Sequence, residues 1–194
     1  MNSSKIYPFI ALIIEFGPLI LFLILAWYFP FLFAVEALVI STIIALILSW
    51  LVQGRIAIFP LLAGLTIILM GAITIYTNDS SFIIVRDTIF NGTLSIIILQ
   101  GLRKNKLILK DLFKNTFAIT DKGWKIVSIN WGVWLLLLAT SNQIIGSFYS
   151  LNFWIVFKTF SFGFSIFFCF YQFLIAHKEK LPNGNILGLR KKAI

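Results

Sequence analysis

Apolar positions run almost without break for stretches of about twenty residues, the length a helix needs to cross a ~30 Å hydrocarbon core. Six such stretches fall at 8–28, 31–52, 56–77, 82–102, 124–146 and 151–176. The polar or bulky joints between them are short: "FP" at 29–30, "QGR" at 53–55, "NDSS" at 78–81 and "GSFYS" at 146–150. Joints of that size predict tight helical hairpins. The runs lack the alternation of lipid-facing and lumen-facing positions that a membrane barrel requires. The expected fold is therefore all-α, a polytopic transmembrane helix bundle of about six spans. In the first stretch Glu15, Gly17 and Pro18 form "EFGP", which can kink a helix, and five spans remain if that segment is re-entrant. The stretch is too long for a secretory signal and has no A-x-A site. The chain reads as a single transmembrane domain over 1–194, with a basic loop at 103–123 and a tail at 177–194 reaching into water.

Polar positions inside the spans change this picture. Glu36 on the second span, Arg86 and Asp87 on the fourth and Lys158 on the sixth fall at one depth, a few residues from the same membrane surface. A charge within the hydrocarbon region costs about 2.5–3.5 kcal/mol on insertion scales, so Lys158 is expected to have a carboxylate partner, Asp87 or Glu36; the rival reading is a lysine that reaches the surface along its own flexible stem and needs none. Lys158, Ser161, Ser165 and Gln172 recur at helical spacing and predict a protein-facing stripe on an otherwise aromatic helix. With Glu15, Asn91 and Asn142 these charges make a candidate intramembrane polar network. It reads either as an ion-pair network that fixes helix register or as a path for a solute or proton. Ala37, Ser41, Ala45 and Ser49 form a small-residue ladder on the second span, the pattern of close helix packing.

Charge supplies orientation. All sixteen Lys and Arg except Arg86 and Lys158 lie at the amino end, beside Arg55, in or beside 103–123, or beyond 177. The opposite joints hold none, which places both termini and the basic loop in the cytoplasm by the positive-inside rule. Within the loop, Arg103, Lys106, Lys110 and Lys114 share one helical face and Ile108, Leu109, Leu112 and Ile119 the other. An amphipathic helix on the anionic inner leaflet is one reading, a solvated loop the other. The net charge of +9 thus points to membrane lipid rather than nucleic acid, for which no motif is present.

Candidate chemistry is sparse. One cysteine, Cys169, and one histidine, His177, leave no disulfide and no Cys/His metal cage, and no cofactor or metal is expected. No nucleophile-elbow, zinc-protease, P-loop or dinucleotide motif occurs. Asp111, Asp121 and Glu179 are too irregularly spaced for a paired-carboxylate site. The expectation is a protein that is not an enzyme.

Several stretches taken together carry a family resemblance: "EFGPL", "ND" followed by "FI" at 78–83, "ITDKGWKIVSINW" at 119–131 and "FWIVFKTF" at 153–160. The chain resembles the YciB family, also called intracellular septation protein A, small multi-span inner-membrane proteins of Gram-negative bacteria. The most specific part is W-x-x-F-K-x-F, formed by Trp154, Phe157, Lys158 and Phe160. Where the family usually reads F-I-K-x-K-P-T, this chain has Phe82 to Thr88 with Arg86 and Asp87, and Ser161 stands in place of a glycine. The resemblance implies a non-catalytic role in envelope biogenesis, cell division and membrane homeostasis, through contacts with division and wall-synthesis membrane proteins. A small-solute or ion transporter is the alternative.

Overall fold

The computed structural model describes residues 3–53, 58–114, 116–182 and 189, and among them the chain is helical apart from short joints and two isolated antiparallel bridges. The helices are α1 (Ser3–Tyr28), α2 (Phe31–Gln53), α3 (Ile58–Thr77), α4 (Ser81–Arg103), α5 (Ile108–Phe113), α6 (Asp121–Phe148) and α7 (Leu151–Lys178). Among the described residues α2, α3, α4, α6 and α7 are long and apolar enough to cross a membrane, and α1 contributes a shorter apolar stretch, Phe16–Tyr28. Gly17 and Pro18 do not break α1, which runs as one helix of 26 residues. A helix that length spans about 39 Å at 1.5 Å per residue.

Local chemistry sets the joints. Asn78 turns the chain after α3 with a positive φ of 55°, a conformation Asn tolerates better than most residues. The Asp79 carboxylate then accepts from the Ser81 amide at 2.8 Å, capping an otherwise unpaired donor at the start of α4. That bond holds the exposed Asp79 carboxyl below its usual range.

Contacts gather the chain into two compact units, Met1–Asp87 with Gln143–Lys158, and Thr88–Asn142 with Thr159–Ile194. Helices α4, α6 and α7 contribute to both. In the first unit α1 packs on α2 and α2 on α3. Trp154, only 1% exposed, meets Phe22 and Phe31 edge to face, with ring centroids 6.4 and 6.0 Å away. In the second unit α4 and α6 approach closely at Gly132, where an added Cβ would lie 2.5 Å from a Leu99 methyl. The buried Ser95 hydroxyl donates to the Gly132 carbonyl at 2.7 Å, a bond that the missing side chain makes reachable. Trp131 and Trp134 of α6 both pack on Phe168 of α7.

The basic loop departs from the single amphipathic helix expected over 103–119. Arg103 ends α4, Asn105 turns the chain with a φ of 54°, and only Ile108–Phe113 is helical again. Leu109 and Ile119 are buried with Ile98, Trp124, Val127 and Ala176 in one apolar core. Two of the four apolar positions expected on one face, Leu109 and Ile119, thus close the end of the protein's own helices, Ile119 from an extended bridge to Lys180 rather than from a helix. The loop also clasps the chain beyond α7. The Thr120 amide donates to the Glu179 carbonyl, the Leu181 amide to the Ala118 carbonyl, and the Thr120 hydroxyl to the Glu179 carboxylate, at 2.8, 2.8 and 2.6 Å.

Candidate functional site

The charged node of the first unit is built by three helices. Asp87, early in α4, accepts from Lys158 of α7 and from Arg86 beside it, the latter at 2.5 Å. The three side chains are only 12–18% exposed. Arg86 also reaches α3, donating from Nε to the Thr66 hydroxyl at 3.1 Å and from a terminal nitrogen to the Ala63 carbonyl at 2.9 Å. A planar guanidinium with several donors is suited to this bridging, since one group can serve a carboxylate, a hydroxyl and a carbonyl together. Lys158 lies one helical turn beyond Trp154, and its ammonium sits 5.6 Å from the centre of that ring. A carboxylate on one side and an aromatic face on the other stabilise the ammonium where water is scarce.

The remaining network positions fall elsewhere. Glu36 is exposed on α2 and forms no ion pair among the described residues, so Lys158 takes Asp87 and not Glu36. Within the second unit Asn142, 1% exposed, donates to the Thr88 hydroxyl at 2.9 Å and ties α6 to α4. Asn91 is half-buried on α4. The Glu15 side chain lies outside the described residues, as do Lys5's side chain and Arg55. In the W-x-x-F-K-x-F stretch, Trp154 and Lys158 face inward, Phe157 is half-buried and Phe160 is 64% exposed. Phe164 and Phe167 continue that outward aromatic face. Ser161 and Ser165 are half-buried, and Gln172 is buried with neither amide atom hydrogen-bonded among the described residues, as is the Ser128 hydroxyl of α6.

In the basic loop Arg103, Lys104 and Lys106 are exposed. Lys110 bonds Asp121 at 2.5 Å, and Lys114 lies 4.0 Å from Asp111. Among the described residues no cluster of His, Cys, Asp and Glu is placed to hold a metal ion. Thr66, Phe22 and Phe31 escaped sequence reasoning. A hydroxyl in the first half of an otherwise apolar span was the one available signal, for Thr66; nothing marks which of 21 phenylalanines surround a tryptophan.

The model of the family described as intracellular septation protein A matches residues 10–182, which include the whole charged node. The chain belongs to that family. Relatives of the septation protein A family agree: an "inner membrane-spanning protein YciB" of Agrobacterium fabrum is 31% identical, with 80% of this chain and 83% of the relative covered. One of Rhizobium meliloti is 32% identical over 80% of this chain and 81% of its own length. One of Brucella anthropi is 28% identical over 95% and 91%. No solved structure matches. With its long apolar helices, this family member is a multi-pass inner-membrane protein.

Proposed function

We propose that this protein is a non-catalytic organising component of the bacterial inner membrane, acting in envelope biogenesis and septation through contacts with other membrane proteins, those of division and wall synthesis among them. The observation that carries this reading is how the intramembrane charges are used. Arg86, Asp87 and Lys158 satisfy one another and tie α3, α4 and α7 together, the arrangement of a register-fixing network. The family description names septation, and the relatives are named for the inner membrane, which supports the same reading. The outward aromatic face of α7 offers a surface for such contacts. A photo-reactive residue at Phe164 in living cells, followed by mass spectrometry, should capture division or wall-synthesis proteins. Capture no different from that of an unrelated membrane helix would overturn the proposal.

A second reading, passage of a small solute or ion, draws on the buried hydroxyl of Ser128 and amide of Gln172, which have no hydrogen-bond partner among the described residues. Flux in proteoliposomes that is lost on Gln172→Leu would favour it over the first.

A further inference from the structure

The outer face of the α1–α2 hairpin carries a feature that the charged node does not use. Phe33, Glu36, Ala37, Ile40, Ser41 and Ile44 recur at helical spacing on one side of α2, and with Leu21 of α1 they line a groove of about 310 Å³. Ala37 and Ser41 keep its floor low, and the Ser41 hydroxyl is turned back onto the Leu38 carbonyl at 3.1 Å. From Glu36 to Ile44 the groove runs about 12 Å along the helix at 1.5 Å per residue. Below Glu36 the lining is aliphatic, matched to acyl-chain depth.

Glu36 is the single charge in this groove, exposed and without an ion pair among the described residues. Its Cα lies about 7.5 Å along the axis from Phe31, and helical side chains lean toward the amino end of their helix. That end is the membrane surface, marked by exposed Trp27, Tyr28 and Phe29, the residue types of an interfacial aromatic belt. The carboxylate is thus held at headgroup level with an apolar channel beneath it. A carboxylate in that position favours a headgroup that can present a cation to it and disfavours one that carries only negative charge.

A second copy of this chain cannot supply that cation. Arg86 and Lys158 are engaged with Asp87, and every other Lys and Arg belongs to the opposite ends of the helices. We infer that the groove holds a phospholipid with a primary-amine headgroup, one acyl chain lying along Leu21, Ile40 and Ile44 and the ammonium donating to the Glu36 carboxylate. A primary ammonium has the N–H donors for charge-assisted hydrogen bonds, which a quaternary ammonium lacks. This site is independent of the proposed organising role.

The test uses the full chain, exchanged into mixed phosphatidylethanolamine, phosphatidylcholine and phosphatidylglycerol, with retained lipid read by native mass spectrometry. Wild type should retain phosphatidylethanolamine preferentially, and Glu36→Gln should reduce that preference about five- to tenfold, the scale of one charge-assisted bond. Ser41→Leu, which fills the floor and keeps the carboxylate, should lower retention of every headgroup. Equal retention of the three lipids by wild type, or a preference unchanged in Glu36→Gln, would overturn the inference. A photo-reactive residue at Ile40 in cells should yield a lipid-mass adduct. A protein adduct there would assign the groove to a partner helix and overturn it too.

Discussion

Removing Lys158 leaves Asp87 still bonded to Arg86, whereas removing Asp87 leaves two cations facing each other among helices that are largely dry. Asp87→Ala is therefore expected to destabilise the detergent-solubilised protein by about 3–5 kcal/mol, and Lys158→Ala by roughly half as much. Combining the two should recover part of the loss, while Glu36→Ala with Lys158→Ala should simply add, since Glu36 lies outside the node. Thermal denaturation of the three single and two double variants checks this; coupling between Lys158 and Glu36 would contradict the Lys158–Asp87 pairing. That Lys158 needs a carboxylate was legible in the chain, because charge and depth follow from position within a span. Which acid it takes was not. Asp87 and Glu36 share a depth, and the choice depends on how α2, α4 and α7 are rotated about their axes. Asp79 gives a second prediction at this scale. Its folded pKa lies below its unfolded one, so its contribution is complete above the unfolded value and is lost as pH falls through the folded value. The protection of the Ser81 amide, its exchange rate relative to the intrinsic rate at the same pH, should fall over that acid window in wild type and be low at every pH in Asp79→Ala.

Among the helices, the apolar runs located six elements to within a few residues at most joints, because a bilayer demands a nearly fixed length and the intervening turns admit few residue types. The basic loop was harder to read. An apolar face recurring at helical spacing reports that something covers it, without saying whether lipid or the protein's own helices do. Here Leu109 and Ile119 join a core with Trp124 and Ala176, while Arg103, Lys104 and Lys106 remain exposed. The apolar residues are thus taken up by the protein itself, and contact with anionic lipid is expected of the exposed bases alone. Ile119→Ala is expected to lower stability by about 2–4 kcal/mol with little change in lipid preference, as for other buried isoleucines. Lys104→Gln with Lys106→Gln should leave stability unchanged and reduce retention of phosphatidylglycerol, by about 1 kcal/mol per charge. Melting temperature and lipid retention measured on both variants separate the effects. A stable Ile119→Ala protein with reduced lipid retention would return the apolar face to the membrane.

Across the whole molecule, the distribution of charge orients the helices. The joints after α1, α3 and α6 hold no Lys or Arg, whereas the α4–α6 connection with the helix ends that flank it, the amino end, Arg55, and the end of α7 with the segment beyond it carry all but two of them. The two exceptions, Arg86 and Lys158, are bound to Asp87 inside the protein and carry no weight in a rule that concerns flanking segments. Helices that follow one another through short joints must alternate in direction across the membrane, so the basic segments share one side if α1 crosses completely. Its unbroken helix of 26 residues is long enough to do so, with the aromatic cluster of Trp27, Tyr28 and Phe29 at one end and Lys5 near the other. Reporters fused after Lys5, at Asn115 and after Ile194 are expected to signal cytoplasm in each case. The amino-terminal reporter is the discriminating one, because Glu15 and Pro18 both weaken the first segment as a membrane span. A periplasmic signal there, with cytoplasmic signals from the other two, would mean five crossings. The groove beside Glu36 would then be flanked by a helix that lies along the membrane, and α2 alone would have to supply its acyl-chain wall.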